Sequence, residues 1–230
     1  MFTDFEDFKS DISSFIKPAD NVKVTDGTVI TSIHFAESFP TLNRLINRAR
    51  VLDIEINNIA YKLYSWTTGT ESCGWLCKIE PASISNIELL PEHQLLLDNI
   101  GGIQESYNQP EGAFTNNQNF LFIKSECTRG TGYWTEYYHD MCENTDTKPI
   151  PVGNLISFVY EANGAQTMYD LKTKQVYLFS HDHSFDYVTF LEGQPEYTFH
   201  YINGVNNFID YTEMLANQWT NHLENRLPTT

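Results

Sequence analysis

Hydrophobic residues recur along this chain at two different spacings, which predicts a protein that combines helices with strands. Phe5, Phe8 and Ile12 lie three or four residues apart near the N-terminus and would share one face of a helix that Pro18 ends. Segments with the same helical spacing follow at residues 40–52, 91–100, 133–142 and 206–219. The aromatic segment 133–142 also fits a strand, and we favour the helix.

Runs rich in β-branched and aromatic residues predict the strands. Residues 22–25 and 28–35 are expected to form a hairpin around the turn signal Asp26-Gly27. A second hairpin is predicted for residues 166–170 and 175–179. Further strands are predicted at residues 61–66, 74–79, 119–124 and 155–160. The predicted fold class is α+β, with a mostly antiparallel twisted sheet and flanking N-terminal, middle and C-terminal helices.

The composition indicates a globular protein, because 41% of the 230 residues are hydrophobic and 14% are aromatic. This length supports one sizeable core, or one domain with a substantial extension. No run of about 18 apolar residues occurs, so no membrane span is predicted, and the N-terminal residues lack the pattern of a signal peptide. We therefore expect a cytoplasmic protein whose four cysteines are free, buried thiols.

Acidic residues outnumber basic ones by 30 to 14, which gives a formal net charge of −16. The excess is concentrated later in the chain: residues 1–88 hold 12 acidic and 8 basic residues, and residues 89–230 hold 18 and 6. A surface this negative repels nucleic acid and anionic membranes, and it attracts a basic protein. The charge therefore favours a protein partner, with solubility alone as the simpler explanation.

Four short segments between residues 84 and 219 follow one another in an order that carries a family resemblance. They are Leu90-Pro91 with Asn99-Ile-Gly-Gly102, the strand, turn and strand at 155–171, Lys172-Thr-Lys-Gln-Val-Tyr177 with His181-Asp-His183, and Asn206-Asn-Phe-Ile-Asp210. In this order they resemble the SUKH superfamily, which includes a yeast cell-wall-synthesis regulator and many bacterial immunity proteins of polymorphic toxin systems. Ile100 and Lys174 depart from the family pattern, which has an uninterrupted Asn-Gly-Gly run and a glycine at these places.

The resemblance covers about three-fifths of the chain. It implies a SUKH-like α+β domain at residues 84–230 and leaves residues 1–83 as an N-terminal extension or subdomain packed on its core. It also implies a non-catalytic protein-binding module, most readily an immunity protein that neutralises a cognate toxin by occluding its active site. Toxins of such systems are often nucleases with basic substrate-binding surfaces, which an acidic inhibitor would complement.

The predicted partner-binding residues fall into two groups: acids on loops, and the His-Asp-His tip that follows the second hairpin. They are Asp140, Glu143, Asp146, His181, Asp182, His183, Asp186, Glu192 and Glu196. The predicted partner is a protein, a basic toxin domain, and neither nucleic acid nor membrane is expected to bind.

Two other functions stay open from the sequence. A regulatory or scaffold module, of the kind that the yeast relative represents, would hold a signalling partner with the same sheet and loops. A small metal-dependent hydrolase would use His181 and His183, but a catalytic zinc site requires three protein ligands and no third is evident. His139 and Cys142 lack an orienting partner, and no P-loop, Gly-x-Ser-x-Gly or His-Glu-x-x-His motif occurs. We therefore predict no enzymatic activity, no cofactor and no bound metal.

Overall fold

A single β-sheet forms the centre of the fold in the computed structural model. The structure describes residues 3–68, 71–81, 83–110, 118–181 and 186–225. Its strands are Val22–Asp26 (β1), Arg50–Ile56 (β2), Ile59–Thr68 (β3), Glu71–Lys78 (β4), Gly102–Tyr107 (β5), Gln118–Leu121 (β6), Thr128–Arg129 (β7), Leu155–Glu161 (β8), Gln166–Asp170 (β9), Val176–Phe179 (β10), Val188–Phe190 (β11) and Phe199–Ile202 (β12). The helices are Thr3–Asp11 (α1), Ile33–Ser38 (α2), Pro40–Ile46 (α3), Pro91–Ile100 (α4), Thr135–Asn144 (α5) and Phe208–Asn225 (α6). The α+β fold class is confirmed.

The strands follow the order β1-β2-β3-β4-β5-β6-β8-β9-β10-β12-β11, and β7 also pairs with β8. Every pairing described is antiparallel. The second predicted hairpin is confirmed as β9 and β10, with Val176 opposite Tyr169. Sequence order and spatial order differ at the end of the sheet, where β12 lies between β10 and β11. This crossover makes the short strand β11 one edge of the sheet.

Side chains alternate along each strand, so the sheet has two apolar faces. On β3, Leu63 belongs to the cluster under α1, whereas Tyr64 belongs to the larger cluster under α2, α3, α4 and α6. On the α1 side, α5 covers the other end of the sheet, over Met168 and Phe199. All four cysteines are buried and free, as predicted. Within the described ranges, no helix is both long enough and apolar enough to cross a membrane.

The hairpin predicted around Gly27 is wrong. β1 pairs with β2 and not with residues 28–35, and the Gly27 N–H donates to the carbonyl oxygen of Val51 at 2.9 Å. Ser32 instead begins α2, because its hydroxyl accepts the Phe35 N–H at 3.1 Å and caps the helix. Pairing with a strand later in the chain therefore outweighs the local turn signal.

The helix predicted at residues 40–52 is too long. α3 ends at Ile46, and Arg50 starts β2. Arg50 donates two hydrogen bonds to the Asp4 carboxylate of α1, at 2.6 and 2.8 Å. Such bidentate pairs are among the stronger charge-assisted hydrogen bonds, and this one holds the start of β2 against α1. α1 itself ends at Asp11, before Pro18, where the sequence predicted its end.

The sheet continues across the boundary predicted near residue 84. β4 and β5 lie on either side of that boundary, and they are hydrogen-bonded neighbours with Gly74 opposite Tyr107. A Cβ atom on Gly74 would lie 2.0 Å from the backbone oxygen of Tyr64, so a glycine is required where β3 and β4 approach each other. Strands from residues 1–83 and 84–230 thus share one sheet, and the division into two units stays a prediction.

Candidate partner-binding face

α5, the segment that follows it and the loop between β11 and β12 meet at one end of the sheet. The Tyr138 ring of α5 meets Phe179 and Phe199 edge-on, at centroid distances of 6.2 and 5.1 Å. The Tyr138 hydroxyl donates to the side-chain oxygen of Gln194 and accepts the Ile150 N–H at 2.8 Å. These contacts hold the β11–β12 loop against α5.

His181 follows β10 by two residues and is packed against α5. Its ring stacks on Trp134 with centroids 3.8 Å apart, and its backbone oxygen accepts the Tyr137 hydroxyl at 3.1 Å. Its Nδ1 atom is buried and has no hydrogen-bond partner among the described residues. The other two members of the predicted tip, Asp182 and His183, lie outside the described residues. Metal binding by His181 and His183 therefore stays a hypothesis. The contacts of His181 pack its ring against Trp134 and its backbone against Tyr137 of α5.

Trp134 is in turn held by the turn between β8 and β9. Its indole N–H donates to the Gly164 carbonyl oxygen at 2.8 Å. Gly164 has a φ of +91°, and a side chain there would meet the Trp134 ring at 2.9 Å. The position therefore requires glycine, both for its backbone conformation and for the space that the indole occupies. The turn residues that mark the strand–turn–strand motif in the sequence thus also position α5.

Six of the predicted partner-binding residues are carboxylates that the structure places, exposed, at this end of the fold: Asp140, Glu143, Asp146, Asp186, Glu192 and Glu196. The first three lie on α5 or directly after it, and the last two lie on the loop that Gln194 joins to Tyr138 and to the backbone of Lys148. Asp186 precedes the edge strand β11. Among the described residues, none of the six forms an ion pair.

Negative charge is therefore uncompensated at this end of the sheet. Residues 135–149 hold four carboxylates and one lysine, and residues 186–197 hold three carboxylates and no lysine or arginine. Elsewhere in the described chain, Asp4, Asp53 and Glu92 pair with arginine or lysine at 2.6 to 2.7 Å. We expect the negative potential to be strongest around α5, where it would attract a basic surface.

Three exposed tyrosines lie on the segments that carry these carboxylates or on the adjoining strand β12, and the sequence pattern did not reveal them. Tyr133 is 96% exposed just before α5, and Tyr197 and Tyr201 are 37% and 38% exposed. The Tyr201 ring lies 5.7 Å from that of Tyr177 on the α5 side of the sheet. Alternation along β12 places Phe199 and Tyr201 on one face, which is the only sequence signal for this patch. The position of α5 decides that Phe199 is covered and Tyr201 is not.

The groups that this face offers suit the binding of cationic side chains. Carboxylates pair with lysine and arginine, and tyrosine rings accept both the apolar stem and the charge of these residues. The described residues contain no group of three or more His, Cys, Asp and Glu side chains arranged to hold a metal ion. On α5, His139 is exposed, whereas Cys142 is buried and burial raises the pKa of its thiol. A thiol with a raised pKa is a weak nucleophile at neutral pH.

Comparison of the chain with protein-family models, with curated proteins and with solved structures gave no match. The SUKH resemblance therefore rests on the four short segments between Leu90 and Asp210, and it stays a prediction.

Proposed function

We propose that this chain is a non-catalytic immunity protein that binds a basic toxin domain through the α5 end of its sheet and occludes the active site of that toxin. One observation carries the proposal. Six exposed carboxylates without ion pairs among the described residues, together with three exposed tyrosines, lie on the segments that meet at one end of the fold. The order of the SUKH-like segments supports the assignment to an immunity protein.

Charge and aromatic area would contribute differently to this binding. Exposed carboxylates speed the encounter with a basic surface and select against acidic partners, but each adds little affinity. Tyrosines supply rigid contact area of the kind that dominates protein interfaces. A toxin that acts on nucleic acid carries a basic substrate-binding surface, so an acidic inhibitor would cover the region that catalysis requires.

The first test is to capture the partner from the native host with the tagged full-length chain and to express that partner alone. Expression of the partner should arrest growth, and co-expression of this chain should restore it. A partner that is harmless by itself would overturn the immunity assignment and favour a scaffold or regulatory role.

The second test separates the α5 face from net charge with two triple variants that remove the same number of carboxylates. The test variant changes acids at the α5 end, Glu143→Gln, Glu192→Gln and Glu196→Gln. The control variant changes exposed acids elsewhere, Glu6→Gln, Glu37→Gln and Glu88→Gln. At low salt the association rate with the captured partner should fall about tenfold for the test variant only, and the difference should vanish at high salt. Equal rates for the two variants would place the binding surface elsewhere.

A further inference from the structure

β11 is an open edge of the sheet. It ends the strand order, and among the described residues it pairs with β12 alone. An edge strand presents unpaired N–H and C=O groups that can pair with a strand from another chain. The register of β11 on β12 determines which groups these are.

The backbone groups without a partner among the described residues belong to Val188 and Phe190. The Asn203 N–H donates to the Tyr187 carbonyl oxygen at 2.8 Å, and the Leu191 N–H donates to the Phe199 carbonyl oxygen at 2.9 Å. Hydrogen-bonded positions alternate along an antiparallel pair, so residues 187, 189 and 191 face β12. The N–H and C=O groups of Val188 and Phe190 therefore point away from the sheet.

The surroundings of this edge specify what could pair with it. The Phe190 side chain is 44% exposed and lies against the buried ring of His200, at a centroid distance of 4.9 Å. Asp186 and Glu192 stand just before and just after the strand, and both are exposed without an ion pair among the described residues. The edge thus combines free backbone groups, one apolar contact and a carboxylate at each end.

We propose that β11 is a strand-addition site, and that it takes an extended segment of a protein partner that carries lysine or arginine on both sides of an apolar residue. The inference rests on the proposed function and names how that partner docks. Backbone pairing would supply register, Phe190 would contact the apolar residue, and Asp186 and Glu192 would pair with the flanking cations.

Charge also selects this occupant over a second copy of the chain. Two copies of β11 that paired antiparallel about Thr189 would bring Asp186 of each copy opposite Glu192 of the other. Like charges placed directly opposite each other destabilise a strand pair, whereas a basic segment at the same register is stabilised.

The opposite edge of the sheet provides a matched control. The Gly27 N–H donates to Val51 and the Asn57 N–H donates to Asn21, so among the described residues the outward groups of β1 belong to Val22, Val24 and Asp26. The side chains of Val22 and Val24 pack with the α1 cluster, and Lys23 of β1 forms an ion pair with Glu55 at 2.6 Å. β1 therefore has outward backbone groups and, in Asp26, an exposed carboxylate without an ion pair among the described residues, but it has no exposed aromatic side chain.

The test uses proline, which removes an N–H and blocks pairing at that position. Val188→Pro removes an outward N–H from β11, and Val24→Pro removes one from β1, so neither breaks a hydrogen bond within the sheet. The probe is the capped peptide Thr-Lys-Thr-Val-Thr-Val-Thr-Lys-Thr, whose two valines and two flanking lysines share one face of a strand, as Asp186, Phe190 and Glu192 do on β11. It is compared with the same peptide carrying glutamate in place of lysine. Binding is measured by titration, and hydrogen exchange reports on the backbone amides of Val188 and Phe190.

The lysine peptide should bind the unmodified protein and slow exchange at the amides of Val188 and Phe190. Val188→Pro should weaken this binding about tenfold, which is the loss expected for one to two backbone hydrogen bonds, and Val24→Pro should leave it within about twofold. If Val188→Pro does not fold, reversal of the flanking charges by Asp186→Lys with Glu192→Lys should shift the preference to the glutamate peptide.

Equal binding of the two peptides, equal losses for the two proline variants, or unchanged exchange at Val188 and Phe190 would overturn strand addition at β11. So would self-association of the free protein that Val188→Pro abolishes, because the occupant would then be a second copy. A captured toxin that binds Val188→Pro with full affinity would refute this docking mode and leave the proposed function intact. A harmless captured partner, combined with the expected peptide results, would refute the function and leave the site.

Discussion

Acidification from pH 7 to pH 5 should remove a stabilising contribution of His93, because this side chain is buried as a neutral imidazole. His93 lies on α4 without exposed surface, and its Nε2 atom is 2.6 Å from the Phe122 carbonyl oxygen. A carbonyl can only accept, so Nε2 carries the proton and Nδ1 accepts the Tyr169 hydroxyl at 3.1 Å. The neutral ring thus satisfies both nitrogens, and a second proton would place a charge in an aromatic core.

The magnitude follows from the change in pKa. Burial lowers the pKa of His93 from 6.5 to about 4. Because the folded-state pKa lies below the unfolded-state value, the unfolded chain binds the proton first as the pH falls. The stability present above pH 6.5 is therefore lost between pH 6.5 and about 4. This difference amounts to about 3 kcal/mol in full, and to about 2 kcal/mol between pH 7 and pH 5.

Urea unfolding at pH 7 and at pH 5 measures this loss. His93→Gln should be less stable than the unmodified protein at pH 7, because glutamine does not fill the site of the imidazole. Its further loss on acidification should be about 2 kcal/mol smaller. His139→Gln, at an exposed position on α5, should lose as much as the unmodified protein. His200, which is buried with a lowered pKa, and Glu105, whose pKa is raised and which acts in the opposite direction, contribute equally to all three proteins, so the difference between the variants isolates His93.

Two results would refute the reasoning. One is an NMR titration in which the His93 ring protonates near pH 6.5 in the folded protein. The other is an equal loss of unfolding free energy in His93→Gln and in the unmodified protein.

Three further predictions concern packing, capping and a second titration. Gly164→Ala should lower the free energy of unfolding in urea by about 1–3 kcal/mol, because the new methyl group would meet the Trp134 ring at 2.9 Å. Gly153→Ala should be tolerated, because nothing lies within 4 Å of the added methyl group. Equal losses for the two variants would contradict the packing argument. Glu213→Ala should lower the free energy of unfolding by about 1–2 kcal/mol, because the Glu213 carboxylate accepts hydrogen bonds from the N–H groups of Thr41 and Leu42 at the start of α3. Glu224→Ala, near the other end of α6, is the control, and a similar loss there would argue against capping. Burial raises the pKa of Glu105 to about 7, above its unfolded value, so the ionised form costs stability as the pH rises through 7. Glu105→Gln should therefore stabilise the protein by about 1 kcal/mol at pH 8, after allowance for partial solvation, and by less at pH 5. Equal increases in Tm at the two pH values would disprove this.

Much of the fold after residue 84 was predictable because its signals are local. Pro91 begins α4 and Gly101, with a φ of +80°, ends it where the pattern placed the cap. The run at 155–160 forms β8, and the following hairpin forms β9 and β10. In each case a few neighbouring residues set the backbone conformation, so their types are sufficient evidence. The prediction of a return strand at 28–35 was wrong for the opposite reason, because β1 pairs with β2, which lies further along the chain.

The candidate site was only partly predictable. The acidic residues were visible as composition. All were predicted on loops, but Asp140 and Glu143 lie on the helix α5. That the six carboxylates remain without ion pairs among the described residues, and that Tyr133, Tyr197 and Tyr201 are exposed at the same end of the fold, depends on where α5 lies. His181 was predicted as part of a loop tip, but its ring stacks on Trp134 from a distant segment.

The sequence by itself determined the helices after residue 84, the strands β8, β9 and β10, and that the chain carries a large excess of negative charge. These are properties of periodicity, turn chemistry and composition, which short stretches of chain fix without reference to distant residues. The tertiary structure alone decided that β1 pairs with β2, that β11 ends the described sheet with outward backbone groups, and that His93 is enclosed among aromatic rings. These features depend on contacts between residues far apart in the chain, such as the Glu213 carboxylate that caps α3 across 172 positions. No local pattern specifies such contacts, because each one results from the packing of the whole sheet and its helices.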